Sequence, residues 1–349
     1  MYKHFYDKLR KGEHHFMIRR ALVLGMLALI LAALTGCQQE YKMSILDTAG
    51  TVAEMQKDLV WLSIYIMSFV VAVVTLIMIY VLIRYRKKPG DDTPPKQVEG
   101  NNLLEAIWII VPILLLAILA VPTVTTTFAL DKVQADGEVL NVKVVGAQFW
   151  WQFEYPDLGI VTAQELHIPT GTKVNLQLET RDVIHSFWVP RLAGKTDLVS
   201  GRTNTMWLEA TEPGTYIGKC AELCGDGHGV MDFLVVAHEP AEFEQWVESM
   251  KNPQTTPTNA LSERGEQVFA QSCASCHAVA GTDFAGTAGP NLTGFANRQK
   301  VAGFWDNTDE NVFQWIKDPE SMKPGSLMPA VPLADEDIEA LVAYLKDLK

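Results

Sequence analysis

Five cysteines occur in this chain, and four of them stand in two short segments suited to metal chemistry. The first runs Cys220-Ala221-Glu222-Leu223-Cys224-Gly225-Asp226-Gly227-His228-Gly229-Val230-Met231. Two thiols, an imidazole and a thioether form a soft donor set, which selects copper over hard cations. Cys220 and Cys224 are four apart and His228 is four further on. Gly225, Gly227 and Gly229 free the backbone to fold back, so that the donors converge. A site of this kind draws a further ligand from elsewhere in its domain. His185, in Asp182-Val183-Ile184-His185-Ser186-Phe187, is the candidate. A bare Cys-x-x-x-Cys outside the cytoplasm would read as a disulfide. The company of His185, Glu222, His228 and Met231 favours a metal instead. His167 and His238 have no such company and read as structural or surface residues. The second segment, Cys273-Ala274-Ser275-Cys276-His277, is the covalent haem attachment signature. Its thiols add to the haem vinyl groups and His277 supplies an axial nitrogen. Copper and haem are both one-electron centres, so the chain reads as one that moves electrons.

The elements that must position these residues follow from hydropathy. Lys3, Lys8, Arg10, Lys11, Arg19 and Arg20 precede an apolar stretch, Ala21 to Ala33, too short to be the main anchor. Leu34-Thr35-Gly36-Cys37 then resembles a bacterial lipobox, so residues 1–36 are expected to be a lipoprotein signal peptide and Cys37 the lipidated mature N-terminus, with an ordinary signal peptide or an uncleaved anchor as the alternative. Leu59 to Ile83 and Ala106 to Leu130 carry no charge, and each has 25 residues, enough for a membrane span. Pro112 and Pro122 interrupt the second, which membrane helices tolerate. Arg84, Arg86, Lys87, Lys88 and Lys96 lie between them, which places that loop in the cytoplasm and both ends outside. Residues 37–130 are thus expected to form a two-helix transmembrane hairpin. Alternating segments such as Val139 to Val145 and Lys173 to Leu178 make residues 131–250 an all-β domain of the Greek-key sandwich kind. Residues 251–260 are a Pro/Thr linker, which leaves the angle between the outer domains open. Residues 261–349 read as helical, ending in an amphipathic helix with Ile338, Leu341, Val342 and Leu345 on one face. Residues 1–130 carry 13 Lys/Arg against 10 Asp/Glu, whereas residues 131–349 carry 16 against 31. So acidic an outer half argues against nucleic acid as a partner; it suits a basic electron carrier, with a solubilising outer surface as the alternative.

The copper-type loop and the Asp182–Phe187 segment resemble those of subunit II of haem–copper cytochrome c oxidases. The resemblance implies a cupredoxin fold holding a binuclear copper centre, CuA. Cys220 and Cys224 would bridge the two coppers, His185 and His228 would bind one each, and Met231 and the Glu222 carbonyl would be weak ligands. The Glu222 side chain would reach a Mg2+ at the contact with subunit I. Leu104-Glu105-Ala106-Ile107-Trp108, followed by Pro112, is similar to the start of the family's second helix, where the glutamate lies near a proton pathway. The bland alternative for Glu105 is a helix N-terminal carboxylate. The family's aromatic run, Gln-Trp-Tyr-Trp, appears here as Gln148-Phe149-Trp150-Trp151. Phe149 replaces the tryptophan that receives electrons from soluble cytochrome c, so the usual path through Phe149, Trp150 and Trp151 is in question, and core packing is the alternative for these rings.

The C-terminal part resembles an all-α class I cytochrome c. Pro324-Gly325-Ser326-Leu327-Met328-Pro329 matches its methionine loop and implies Met328 as the second haem ligand, with Met322 as the alternative. Pro290 would accept the His277 ring proton, and Gly265, Phe269 and Tyr344 fit the helix crossing of that fold. The whole chain therefore resembles a caa3-type subunit II with a fused cytochrome c. That implies the electron-receiving subunit of an aerobic terminal oxidase in the bacterial cytoplasmic membrane, with both redox domains outside. Electrons would come from a cytochrome c or an upstream respiratory complex. They would pass from haem c to CuA and on to subunit I, where oxygen is reduced with proton pumping. A thioredoxin-like copper-delivery protein, a nitrous oxide reductase and a copper-free quinol oxidase subunit are the competing readings. The full ligand set, the haem motif and the two spans argue against them.

Overall fold

The computed structural model describes residues 43–87, 99–131 and 138–349, and Gly25, Gly90, Pro94 and Gln97 singly. Cys37 and the basic segment before it lie outside the described residues.

Two long helices come first, α1 over Thr51–Arg84 and α2 over Asn102–Asp131. Both are long and apolar enough to cross a membrane, and their most apolar windows, of mean hydropathy 2.9 and 2.7, are unburied. Apolar surface on every side requires an apolar surrounding. The α1 helix begins two turns before the uncharged run, inside the outer domain, where Val52 and Ala53 are buried. There the N–H groups of Thr51 and Ala53 donate to the carbonyls of Glu209 (3.2 Å) and Leu192 (3.1 Å). The sandwich thus satisfies donors that a helix start leaves orphaned. Asn101 does the same for α2, its Oδ1 accepting from Leu103 N (3.0 Å) and Leu104 N (3.1 Å).

Ten strands follow: β1 Val139–Ala147, β2 Trp150–Tyr155, β3 Ile160–Ala163, β4 Glu165–Pro169, β5 Lys173–Thr180, β6 His185–Trp188, β7 Lys195–Leu198, β8 Asn204–Leu208, β9 Gly214–Cys220 and β10 Asp232–His238. They form two five-stranded sheets, ordered β3-β2-β1-β5-β8 and β4-β10-β9-β6-β7. The pairs β1–β5 and β4–β10 are parallel and the rest antiparallel. Alternation along β2 sends Trp151, Phe153 and Tyr155 inward and leaves them fully buried. With Phe187 and Phe233 from the other sheet they form the heart of the core. This is the cupredoxin-like sandwich that the sequence leads one to expect.

After α3, Pro240–Lys251, the linker is pinned along its course. Gln254 N donates to Lys349 O (2.7 Å) and Lys349 N to Gln254 O (3.1 Å). Thr258 N donates to Asp347 Oδ2 (2.8 Å). The C-terminal domain comprises α4 Ala260–Ser272, α5 Asp309–Lys317, α6 Pro319–Met322 and α7 Asp335–Asp347. A short pairing of β11 Lys300–Val301 with β12 Trp305–Asp306 accompanies the helices. Asn259 starts α4 with a full capping box through Ser262. The α4 and α7 helices cross closely at Gly265, where a Cβ would lie 2.0 Å from the Ala340 carbonyl oxygen. Phe269 packs on Tyr344 beside this crossing, ring centroids 5.4 Å apart.

The two outer domains touch through specific polar contacts, so their placement is more defined than the linker composition implies. The buried Glu165 carboxylate accepts from Gln299 N (2.6 Å) and Lys300 N (3.3 Å). Gln299 Nε2 donates to Thr215 Oγ1 (3.1 Å), and Arg181 Nη1 to Thr287 O (3.0 Å).

Candidate metal centre and cofactor pocket

Strand β9 ends on Cys220, and β10 begins just after Met231. Cys220 N donates to Met231 O (3.1 Å), which closes the loop between them. Ala221 N donates to Ser186 O (3.0 Å), which draws β6 and its His185 alongside. Six donors therefore meet at one place. The two thiols are free and buried, with sulfurs 3.8 Å apart. Cys220 Sγ lies 3.9 Å from His185 Nδ1 and 3.2 Å from the Glu222 carbonyl. Cys224 Sγ lies 3.7 Å from His228 Nδ1 and 3.8 Å from Met231 Sδ. Among the described residues, His185, Cys220 and Cys224 are the buried metal-type group, their ligand atoms all within 4.8 Å. Two sulfurs spaced apart and flanked on each side by an imidazole form a soft donor set that fits copper.

The electrostatics fit as well. Burial pushes the Cys224 thiol up to about 12, and the neighbouring Cys220 adds to the shift. The Cys224 thiol therefore stays protonated until a cation stabilises its thiolate. Burial also lowers the His185 pKa, against the opposing pull of Asp182. Neutral imidazole is the form that binds metal. Asp182 Oδ1 lies 2.8 Å from His185 Nε2, which fixes the proton there and leaves Nδ1 facing the sulfurs.

The second site is a cavity of about 350 Å3 lined by Cys273, Cys276, His277 and Met328. Apolar walls come from residues such as Phe269, Leu292, Phe295 and Trp315. His277 Nδ1 lies 2.8 Å from the Pro290 carbonyl, so that proton is held and Nε2 is left for iron. Burial lowers the His277 pKa, and the Pro290 hydrogen bond opposes the shift. The Cys273 thiol is pushed up to about 11, again by burial first and by Cys276 second. Met328 lines the cavity, whereas Met322 ends α6 and offers its carbonyl to Trp305 Nε1 (3.0 Å). These residues fit a haem, which Cys273, Cys276, His277 and Met328 would hold.

The sandwich supplies one wall of this cavity, through Gln148, Phe149, Trp150, Arg181 and Asp182. Phe149, 6% exposed, is wedged against the metal loop: a Cβ on Gly227 would meet its ring at 2.5 Å. A Cβ on Gly325, in the methionine loop, would meet the same ring at 2.9 Å. Trp150 lies under the Arg181 guanidinium, 5.2 Å from its carbon to the ring centroid. Trp151 is a core residue that also touches the metal site. Its Nε1 donates to Met231 O (3.3 Å), and its ring stands edge-on to His185. Glu105 is exposed in the first turn of α2. His167 Nδ1 and His238 Nε2 are 2.8 Å apart, and His167 stacks on Trp246. Asp182, Gln148 and Glu165 were not singled out by spacing. Asp182, three residues before His185, carried the only local signal.

Family comparisons follow the same order along the chain. The transmembrane domain of cytochrome c oxidase subunit II matches residues 38–126, its periplasmic domain residues 160–238, and cytochrome c residues 262–349. A cytochrome c oxidase subunit 2 of Alkalihalophilus pseudofirmus is 49% identical over 336 residues, covering 95% of this chain and 97% of the relative. The chain belongs to the cytochrome c oxidase subunit II family. Subunit 2 of Bacillus subtilis is 43% identical over 95% of this chain and 99% of its own length. The crystallised periplasmic domain of subunit II of cytochrome oxidase from Bradyrhizobium japonicum is 31% identical. It covers 34% of this chain and 96% of its own, with a TM-score of 0.33. As a subunit II with a cytochrome c domain, the protein has an electron-transfer role in a terminal oxidase, an oxidoreductase complex with further subunits. Its domains imply CuA copper and haem c, and its transmembrane domain implies membrane anchoring.

Proposed function

We propose that this subunit II receives electrons at haem c and hands them through CuA to subunit I, where oxygen is reduced to water with proton pumping. The observation that carries the reading is the shared wall. Gln148, Phe149 and Trp150 line the haem cavity, and Phe149 packs against the metal loop. Cys273, Cys276, His277 and Met328 would hold the haem. Cys220, Cys224, His185 and His228 would hold the copper pair, with Met231 and the Glu222 carbonyl completing the donor set. When bound, each group supplies one-electron chemistry; the chain's part is to hold the two sites together and exclude water between them.

The Glu222 carboxylate, half-buried at the edge of the loop, takes a Mg2+ at the subunit I contact. Glu105 stands at the cytoplasmic mouth of a proton path. Helices α1 and α2 both span the membrane, with the two redox domains on the outer face, and Cys37 carries lipid after removal of residues 1–36. The donor is a basic cytochrome c or an upstream respiratory complex, drawn by the acidic outer half.

Metal and haem analysis of the purified complex tests the core of this reading. Two coppers and one covalent haem per chain are expected; one copper, or zinc, overturns the CuA assignment. Deleting residues 261–349 is expected to leave the copper absorption intact but to slow its reduction by soluble cytochrome c. Equal rates would make the haem domain an accessory. Intact-mass analysis reads the lipid on Cys37 directly.

A further inference from the structure

We propose that Gln148 is the bonded electron relay between the haem pocket and the copper site, and that the aromatic rings beside it are packing. The proposal rests on the electron-transfer reading above.

Gln148 lines the haem cavity. Its side-chain Nε2 donates to the main-chain carbonyl of Cys224 at 2.6 Å. From that oxygen, covalent bonds alone lead through the Cys224 backbone to its Sγ. Its main-chain N–H donates to Asp182 Oδ2 at 2.8 Å, and Asp182 Oδ1 lies 2.8 Å from His185 Nε2. One residue on the cavity wall is therefore hydrogen-bonded toward both Cys224 and His185. Phe149 reaches the metal loop by van der Waals contact with Gly225 and Gly227. Electronic coupling decays far more steeply across such a gap than along covalent bonds and short hydrogen bonds. The bonded route is thus the stronger one, although Phe149 is the residue that occupies the aromatic position.

One electron moves. The haem iron goes from ferrous to ferric, and the copper pair gains one negative charge. No bond breaks and no proton is transferred, because the Gln148 amide donates to Cys224 before and after. The direction of its amide is set by its partner, since a carbonyl oxygen can only accept.

The test uses the full chain with both cofactors. The haem is photoreduced and electron arrival is followed at the copper absorption band. Gln148→Leu keeps bulk and removes the donor. Exchange is expected to slow several-fold, with both reduction potentials and the copper spectrum unchanged. An unchanged rate in Gln148→Leu, or a slowing matched by shifted potentials or an altered copper spectrum, would overturn the relay. The second result would make Gln148 a positioning residue only. Failure of haem-to-copper exchange in the unsubstituted chain would instead overturn the underlying reading, and the proposal with it.

Discussion

At the scale of single residues, five of the six candidate copper donors lie in one loop, whereas His185 and the Gln148 side chain reach it from distant parts of the chain. Cys220 to Met231 occupy one loop, and their chemistry is legible from residue type and spacing. Gln148 and Cys224 are 76 residues apart, and no periodicity in the text joins them. Asp182 is nearer, yet a carboxylate three residues from a histidine is common, and only the 2.8 Å contact gives it meaning. That contact carries a prediction. Asp182→Ala leaves the His185 Nε2 proton without its acceptor and the ring free to turn. Loss of such an orienting partner weakens metal affinity by roughly 10–100-fold. Competition with a copper chelator is expected to show that loss, while Asp182→Asn, which retains an acceptor oxygen, falls between. Equal copper retention in Asp182→Ala would mean that packing alone fixes His185.

At the scale of elements, the sandwich and the terminal helix were visible as periods of two and near four, because one face of each is buried. The helix crossing was visible only through resemblance, since nothing local distinguishes Gly265 from a helix-weakening glycine. Gly265→Ala puts a methyl group into the Ala340 carbonyl and forces α4 and α7 apart. Overpacking of this kind costs roughly 1–3 kcal/mol or more. Thermal unfolding followed at the haem absorption is expected to shift down, with copper absorption unaffected. The histidine pair joins β4 to β10 and makes a pH prediction. Burial, then the adjacent His167, holds His238 at about 4, with Glu242 opposing. An unfolded histidine titrates near ~6.5. The folded state therefore binds fewer protons than the unfolded state between those values, and stability falls as pH drops through that window. Calorimetry at pH values spanning it is expected to show a lower unfolding temperature on the acid side, and His238→Gln is expected to flatten the slope.

At the scale of the molecule, membrane helices, sandwich and cytochrome could be read in order, whereas their docking could not. Linker composition speaks to flexibility, but the angle is set by side chains far from it. Glu165 is the clearest of these, a carboxylate 1% exposed that belongs to one domain and bonds the main chain of the other. Hydrogen bonds to a charged group contribute about 1.5–3 kcal/mol. Glu165→Ala is therefore expected to loosen the cytochrome domain without unfolding it. Faster protease cutting within residues 251–260 and a larger radius of gyration are the readouts; identical values would show that the remaining contacts suffice. The pinned linker has a different consequence. Gln254 in the linker and Lys349 beyond α7 pair through their main chains, so the linker is clasped to the far end of the helical domain. A linker held in this way moves with the helical domain it leads into, rather than as a free tether between the two outer domains.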